Sequence, residues 1–241
     1  MSIAVPHRWQ RRVNIFSGLR VQGTTLLEGL ARSRSAPRYN PRVVAGVILA
    51  AGRSTRMGRS KALLIAPDGR TFVARLAETL SEGGVDAPLV VGRHDDDPLR
   101  SEVETIGCGV RFVVNADADE GGQLSSLLAG LRKADRPGVR GLMVVPVDAP
   151  MVTADTVARL IAVFNSTGAA IVRARHHGWN GHPVVFSRET FDELRHADPD
   201  VGAKAVVRAY QGALVNVDVE DAGVIGDVDT PEDYRELFGS S

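Results

Sequence analysis

The chain has 241 residues, 44% of them hydrophobic and 5% aromatic, which is enough for one sizeable core and an ordinary length for a single α/β domain. Its formal net charge is zero and no apolar run reaches bilayer length, so nothing overall points to nucleic acid or a membrane. The single cysteine, Cys108, excludes an intrachain disulfide, argues against a cysteine-based zinc site and suits a reducing, cytoplasmic compartment.

Residues 1–42 hold eight arginines and one acid, Glu28, a surplus that the rest of the chain offsets. This stretch lacks the apolar core of a secretory signal. Its arginine-rich, acid-poor character resembles an organelle transit segment. The plainer expectation is a disordered basic extension, so the domain is read as 43–241. Residues 43–51 form a continuous apolar run ending at Gly52, the pattern of a buried parallel strand. Phe72, Val73, Leu76, Ala77 and Leu80 recur at helical spacing until Gly83-Gly84 stops them. A strand over 88–92, a short helix over 98–106 and a strand over 110–114 follow. Leu124, Leu127, Leu128 and Leu131 mark another helix, and 141–147 a fourth strand. Thr153 reads as an N-cap for a helix burying Val157, Leu160, Ile161 and Phe164. Later strands are expected at 169–172, 183–186 and 214–217. Helices are expected near 188–196 and 201–210 and from Pro231, where proline suits the first turn. Cys108 reads as a small buried residue.

Strands alternating with helices imply α/β architecture: a mostly parallel sheet with helices on both faces, a Rossmann-like three-layer sandwich. Ligands bind such sheets at the carboxyl ends of the strands, so functional residues should follow Ala51, Val114 and Val147. The loop after the first strand fits that rule. In Leu49-Ala50-Ala51-Gly52-Arg53-Ser54-Thr55-Arg56-Met57-Gly58-Arg59-Ser60-Lys61, two glycines permit tight turning and close approach to a ligand. Backbone N–H groups can converge on phosphate oxygens, with Arg56 and Lys61 adding charge and Ser54 and Thr55 hydroxyls. Five residues separate Gly52 from Gly58, and Lys61 comes three after Gly58. That spacing excludes a P-loop, and the dinucleotide fingerprint is absent too. The bland alternative is a polar loop with solvated arginines.

The run Leu49-Ala-Ala-Gly-x-Ser-x-Arg-Met-Gly-x-x-Lys61 resembles the signature of the MobA-like nucleotidyltransferases, and is most similar to the molybdenum cofactor cytidylyltransferases. The resemblance extends over most of 43–238. It implies the fold of the nucleotide-diphospho-sugar transferase type. It also implies that Leu49, Ala50, Ala51, Gly52, Ser54 and Gly58 wrap a triphosphate, with Arg56 and Lys61 as catalytic charges. Ala51 tilts the nucleotide toward CTP, because guanylyltransferases of the group usually carry a second glycine there.

Asp148 closes the fourth strand, where one or two carboxylates plus phosphate oxygens would suit magnesium. Its plain alternative is a turn residue before Pro150. The resemblance makes Asp148 a catalytic Mg2+ ligand, although Val147 departs from the polar residue common before it. In Asp227-Val228-Asp229-Thr230-Pro231-Glu232-Asp233 the acids also read as a helix start. The resemblance places the second metal ligand there, at Asp229 with Asp227 as the alternative. It assigns the nucleobase and ribose to Gly122, Gln123 and Ser126 after the third strand. It assigns the acceptor to Gly181, His182 and Pro183, near the 199–204 segment.

The function so implied is transfer of CMP from CTP to molybdopterin with release of pyrophosphate, the product passing to a molybdenum hydroxylase. The alternatives are a sugar or polyol phosphate acceptor, a nicotinamide-dependent oxidoreductase on the same scaffold, and a non-catalytic cofactor chaperone. Retention of Lys61, Asp148 and Asp229 argues against the oxidoreductase, because hydride transfer needs no metal carboxylates.

Overall fold

The computed structural model describes residues 43–55 and 57–239. The basic segment 1–42 and Arg56 lie outside the described residues. Seven strands make one sheet: β1 (Val43–Leu49), β2 (Asp86–Arg93), β3 (Arg111–Asn115), β4 (Val139–Pro146), β5 (Ile171–His176), β6 (Trp179–Ser187) and β7 (Leu214–Asp218). Their order is β3-β2-β1-β4-β6-β5-β7. The first four pair in parallel, β6 runs antiparallel to both β4 and β5, and β7 is parallel to β5. One antiparallel strand in a parallel sheet agrees with the α/β expectation.

The helices are α1 (Phe72–Glu82), α2 (Asp97–Thr105), α3 (Gly122–Ala134), α4 (Ala154–Thr167), α5 (Phe191–Arg195), α6 (Ala203–Ala209) and α7 (Pro231–Phe238). Two apolar clusters form, one per sheet face. One joins Ile48, Val90, Val145 and Val185 to Phe72, Leu76 and Leu160; the other joins Val47, Leu89, Val144 and Val184 to Leu124, Leu127 and Leu131. Alternate residues of one strand thus enter opposite cores, which is why the central strands read as unbroken apolar runs. Thr153 caps α4 as expected, its side chain accepting from the Thr156 N–H.

Three local expectations change. β5 and β6 extend through residues 173–176 and 179–182, where Arg173, Arg175, Asn180 and His182 hide the strand signal. A two-residue turn joins them, with His177 at φ 46° and Gly178 at φ 83°, the primed geometry that matches strand twist. The 188–196 helix splits into a 3-10 turn, Arg188–Thr190, and α5. Cys108 is exposed in a turn at φ 55°, not buried, because the 107–109 turn stands outside the core. Among the described residues, no helix is long and apolar enough to cross a membrane.

Candidate active site

The carboxyl ends of β1, β2 and β4 lie level. Ala50 N–H donates to the Val91 carbonyl at 2.9 Å, and Val147 N–H donates to that of Leu49 at 3.0 Å. These bonds carry the pairing just beyond the strands, so the residues that follow emerge side by side. They surround a cavity of about 350 Å³, within the range of small-molecule sites.

The loop after β1 makes one wall. Leu49, Ala50 and Ala51 are buried and line the cavity, as do Gly52, Ser54 and Thr55. Two anchors give the loop its course. Met57 is buried in the core, and its N–H donates to the Ser54 carbonyl at 2.9 Å. Ser54, at φ 49°, accepts through Oγ from the Lys61 N–H at 3.2 Å. Gly58 makes the loop's outer turn at φ 67° and does not line the cavity. Lys61 then opens a short 3-10 turn in which Ala62 is buried, as is Leu64 just past it. That burial directs the lysine inward, leaving its side chain 12% exposed.

Lys61 Nζ donates to Asp148 Oδ2 at 3.2 Å and to Asp229 Oδ1 at 2.6 Å. The two carboxylates, 81 positions apart in sequence, therefore share one ammonium at the cavity floor. Asp148 stands just past β4, and its carbonyl accepts from the Val228 N–H at 2.8 Å, which fixes 227–229 beside it. Asp229 lines the cavity; Asp227 does not. Asp229 precedes α7, where a reciprocal cap forms. Thr230 Oγ1 accepts from the Asp233 N–H at 3.2 Å, and Asp233 Oδ2 accepts from the N–H groups of Thr230 and Asp229 at 2.9 and 3.1 Å. The helix is tied to the 61–72 stretch by Tyr234 Oη donating to the Ile65 carbonyl at 2.6 Å and by the rings of Tyr234 and Phe238 packing on Phe72. The two carboxylates are of the donor type that would hold a magnesium ion, which takes one or two carboxylates beside phosphate oxygens and water.

The opposite wall comes from the turn before α3. Asn115 is fully buried and donates through Nδ2 to Ser125 Oγ at 2.8 Å and Ser126 Oγ at 3.0 Å. That holds Gly122, Gln123 and Ser126 toward the cavity, with Ala118 beside them. An ion cluster joins the two walls. Arg93, buried at the end of β2, sends Nη1 and Nη2 to the two oxygens of Asp119, each at 2.8 Å. Arg53, which lines the cavity from the first loop, donates through Nε to the same Asp119 at 2.8 Å. Arg93 and then Arg53 hold the Asp119 carboxyl well below the usual carboxylate range. Sequence reasoning missed Asp119 and Arg93. The available signal was an arginine closing an otherwise apolar strand.

Of the expected acceptor residues, none lines this cavity. A Cβ at Gly181 would stand 1.9 Å from the Val224 carbonyl oxygen, so that glycine packs the 222–225 turn against β6. Pro183 is buried. Burial lowers the His182 pKa; the Asp148 carboxylate raises it, Arg173 lowers it and a backbone hydrogen bond with Val144 raises it.

A sequence profile described as the MobA-like NTP transferase domain matches residues 46–214. Molybdenum cofactor guanylyltransferase of Burkholderia vietnamiensis is 34% identical over 190 residues, covering 73% of this chain and 85% of its own. Nicotine blue oxidoreductase of Paenarthrobacter nicotinovorans is 31% identical over 208 residues, covering 81% and 96%. The crystal structure of Rv0371c from Mycobacterium tuberculosis superposes with a TM-score of 0.70 at 31% identity, covering 82% of this chain and 98% of that one. Rv0371c has also been solved as a complex with manganese.

Proposed function

This chain belongs to the MobA-like NTP transferase family and is a nucleotidyltransferase, and we propose that it moves CMP from CTP onto the phosphate of molybdopterin, releasing pyrophosphate. The observation that carries this reading is the Lys61 ammonium bridging Asp148 and Asp229 at the floor of a cavity walled by the glycine-rich loop. In this reading Asp148 and Asp229 hold Mg2+, which draws charge from the phosphate oxygens when bound. Lys61, relieved of the carboxylates, turns to the triphosphate. Arg56 supplies further charge, and the loop amides from Gly52 through Gly58 bind phosphate oxygens. Gly122, Gln123 and Ser126 receive the base and ribose. An acceptor oxygen attacks the α-phosphorus, and the bond to the bridging oxygen breaks. The electron pair leaves on pyrophosphate. A phosphate acceptor is already largely ionised near neutral pH, so no general base is required.

CTP is favoured by Ala51, whose buried methyl lines the cavity. GTP is favoured by the likeness to guanylyltransferases. A matrix of four triphosphates against molybdopterin and sugar or polyol phosphates, read by pyrophosphate release, separates these. Preference for GTP overturns the base assignment alone. Release only with sugar or polyol phosphates overturns the acceptor, and no release at all with Mg2+ present overturns the function. The likeness to an oxidoreductase supports a second reading, tested in the same samples by absorbance of a reduced nicotinamide. In the proposed setting the enzyme works in the cytoplasm and hands its product to a molybdenum hydroxylase.

A further inference from the structure

The two arginines of β5 differ in what faces them across the sheet. In the parallel pairing of β5 with β7, Arg173 stands opposite Asn216 and Arg175 opposite Asp218. Arg175 makes a two-pronged ion pair, Nε to Asp218 Oδ1 at 2.7 Å and Nη2 to Oδ2 at 2.6 Å. Arg173 donates from Nε to Asn216 Oδ1 at 3.0 Å, and no acid pairs with it among the described residues. Asparagine keeps the hydrogen bond that aspartate would make and leaves the charge uncompensated. The side chain is half-buried, and burial, with the Arg175 charge added, pulls its pKa down. A partly desolvated cation without a counter-ion is costly, and a bound anion removes that cost.

A second observation points the same way. His182 Nδ1 is a buried ring nitrogen with no hydrogen bond of normal geometry among the described residues, the backbone of Val144 being the partner nearest the ring. His182 is also the group that feels both Asp148 and Arg173. Arg173 pairs across β6 with Val184, which pairs with Val144 of β4. Two strand spacings, about 10 Å across the sheet, and the four residues from Val144 to Asp148, about 13 Å along it, set the Arg173 backbone about 16 Å from that of Asp148.

We propose that Arg173, oriented by Asn216 and flanked by His182, binds a second anionic group of the acceptor, two strands across the sheet from the one that leads to Asp148. The acceptor class is therefore a phosphate monoester that carries a further anion. The acceptor part of this proposal rests on the nucleotidyl-transfer reading; the anion site does not.

Titration of the full-length, isotope-labelled protein with inorganic phosphate tests the site without turnover. The Asn216 side-chain amide and the Arg173 Nε–H should shift. The Asn216 response should vanish in Arg173→Ala and persist in part in Arg173→Lys, while the Gly52 and Ser54 amides respond in all three proteins. An Asn216 amide that ignores phosphate in the wild type, or responds undiminished in Arg173→Ala, overturns the proposal. In pyrophosphate release, Arg173→Ala should raise the KM of a two-anion acceptor roughly ten- to hundredfold and leave kcat and the KM of a one-anion acceptor unchanged. Equal acceptor KM values in both proteins overturn the Arg173 role and leave the transfer reading standing. No pyrophosphate with any acceptor overturns the transfer reading, and the phosphate titration then decides the anion site alone.

Discussion

Replacing Lys61 with methionine is expected to weaken the fold, sharpen its response to magnesium and slow turnover. The ammonium makes charge-assisted bonds to Asp148 and Asp229, at 3.2 and 2.6 Å, from a side chain only 12% exposed. Methionine preserves the buried stem and leaves two carboxylates facing each other. In a dry interior such a loss would cost about 3–5 kcal/mol. Here the Asp148 and Asp229 side chains are 26% and 42% exposed, so solvent screens the repulsion and about 1–2 kcal/mol is the better figure. For a domain of this size that lowers Tm by roughly 2–8 °C. The freed carboxylates then bind Mg2+ without a competing cation, so millimolar magnesium should raise the Tm of the variant more than that of the wild type. Pyrophosphate release should nonetheless fall by about 10²–10³-fold, because the variant lacks the charge that the proposed mechanism brings to the triphosphate. Scanning calorimetry with and without MgCl2, alongside turnover, reads all three. A variant as stable as the wild type, with no added magnesium response, would refute the idea that lysine and metal compete for one place.

Three further outcomes follow from the same geometry. Asp119 has a folded pKa depressed first by its hydrogen bonds to Arg93 and then by those to Arg53, so its stabilisation is present above the ordinary carboxylate value and lost as pH falls below it. The Tm gap between wild type and Asp119→Asn should be full at neutral pH and narrow below about pH 4; a gap constant with pH would count against the cluster. Gly223→Ala puts a methyl 2.2 Å from the Met151 carbonyl oxygen, within the turn that Gly181 packs, and should cost about 3 kcal/mol in chemical denaturation. Thr230→Ala removes the α7 cap at about 1 kcal/mol and loosens Asp229. Its signature is a raised magnesium requirement in turnover with the KM for triphosphate little changed.

Much of the site is readable before folding because it obeys a positional rule. The run into Ala51 is apolar on both faces, so it must be an interior strand, and polar residues just past an interior parallel strand stand at the ligand-binding edge. Lys61 and Asp148 are found that way. Asp229 is harder, since an aspartate before Thr230-Pro231 is equally a helix cap. In the structure the capping role belongs to Thr230 and Asp233, which leaves the Asp229 carboxylate directed at Lys61. Gly181, beside expected ligand residues, carries a packing constraint the sequence does not show: the closeness of the Val224 carbonyl.

Local pattern, then, was enough for the strand–helix alternation, the glycine-bearing loop after β1 and two of the charges beside its cavity, because each follows from burial periodicity or from spacing along one segment. Only the tertiary structure could bring Arg93 and Arg53 onto Asp119, or set Arg173 opposite Asn216 and Arg175 opposite Asp218. Those pairings depend on strand order and register. A shift of one residue between β5 and β7 would face each arginine with a different partner, and no periodicity within either strand encodes that choice.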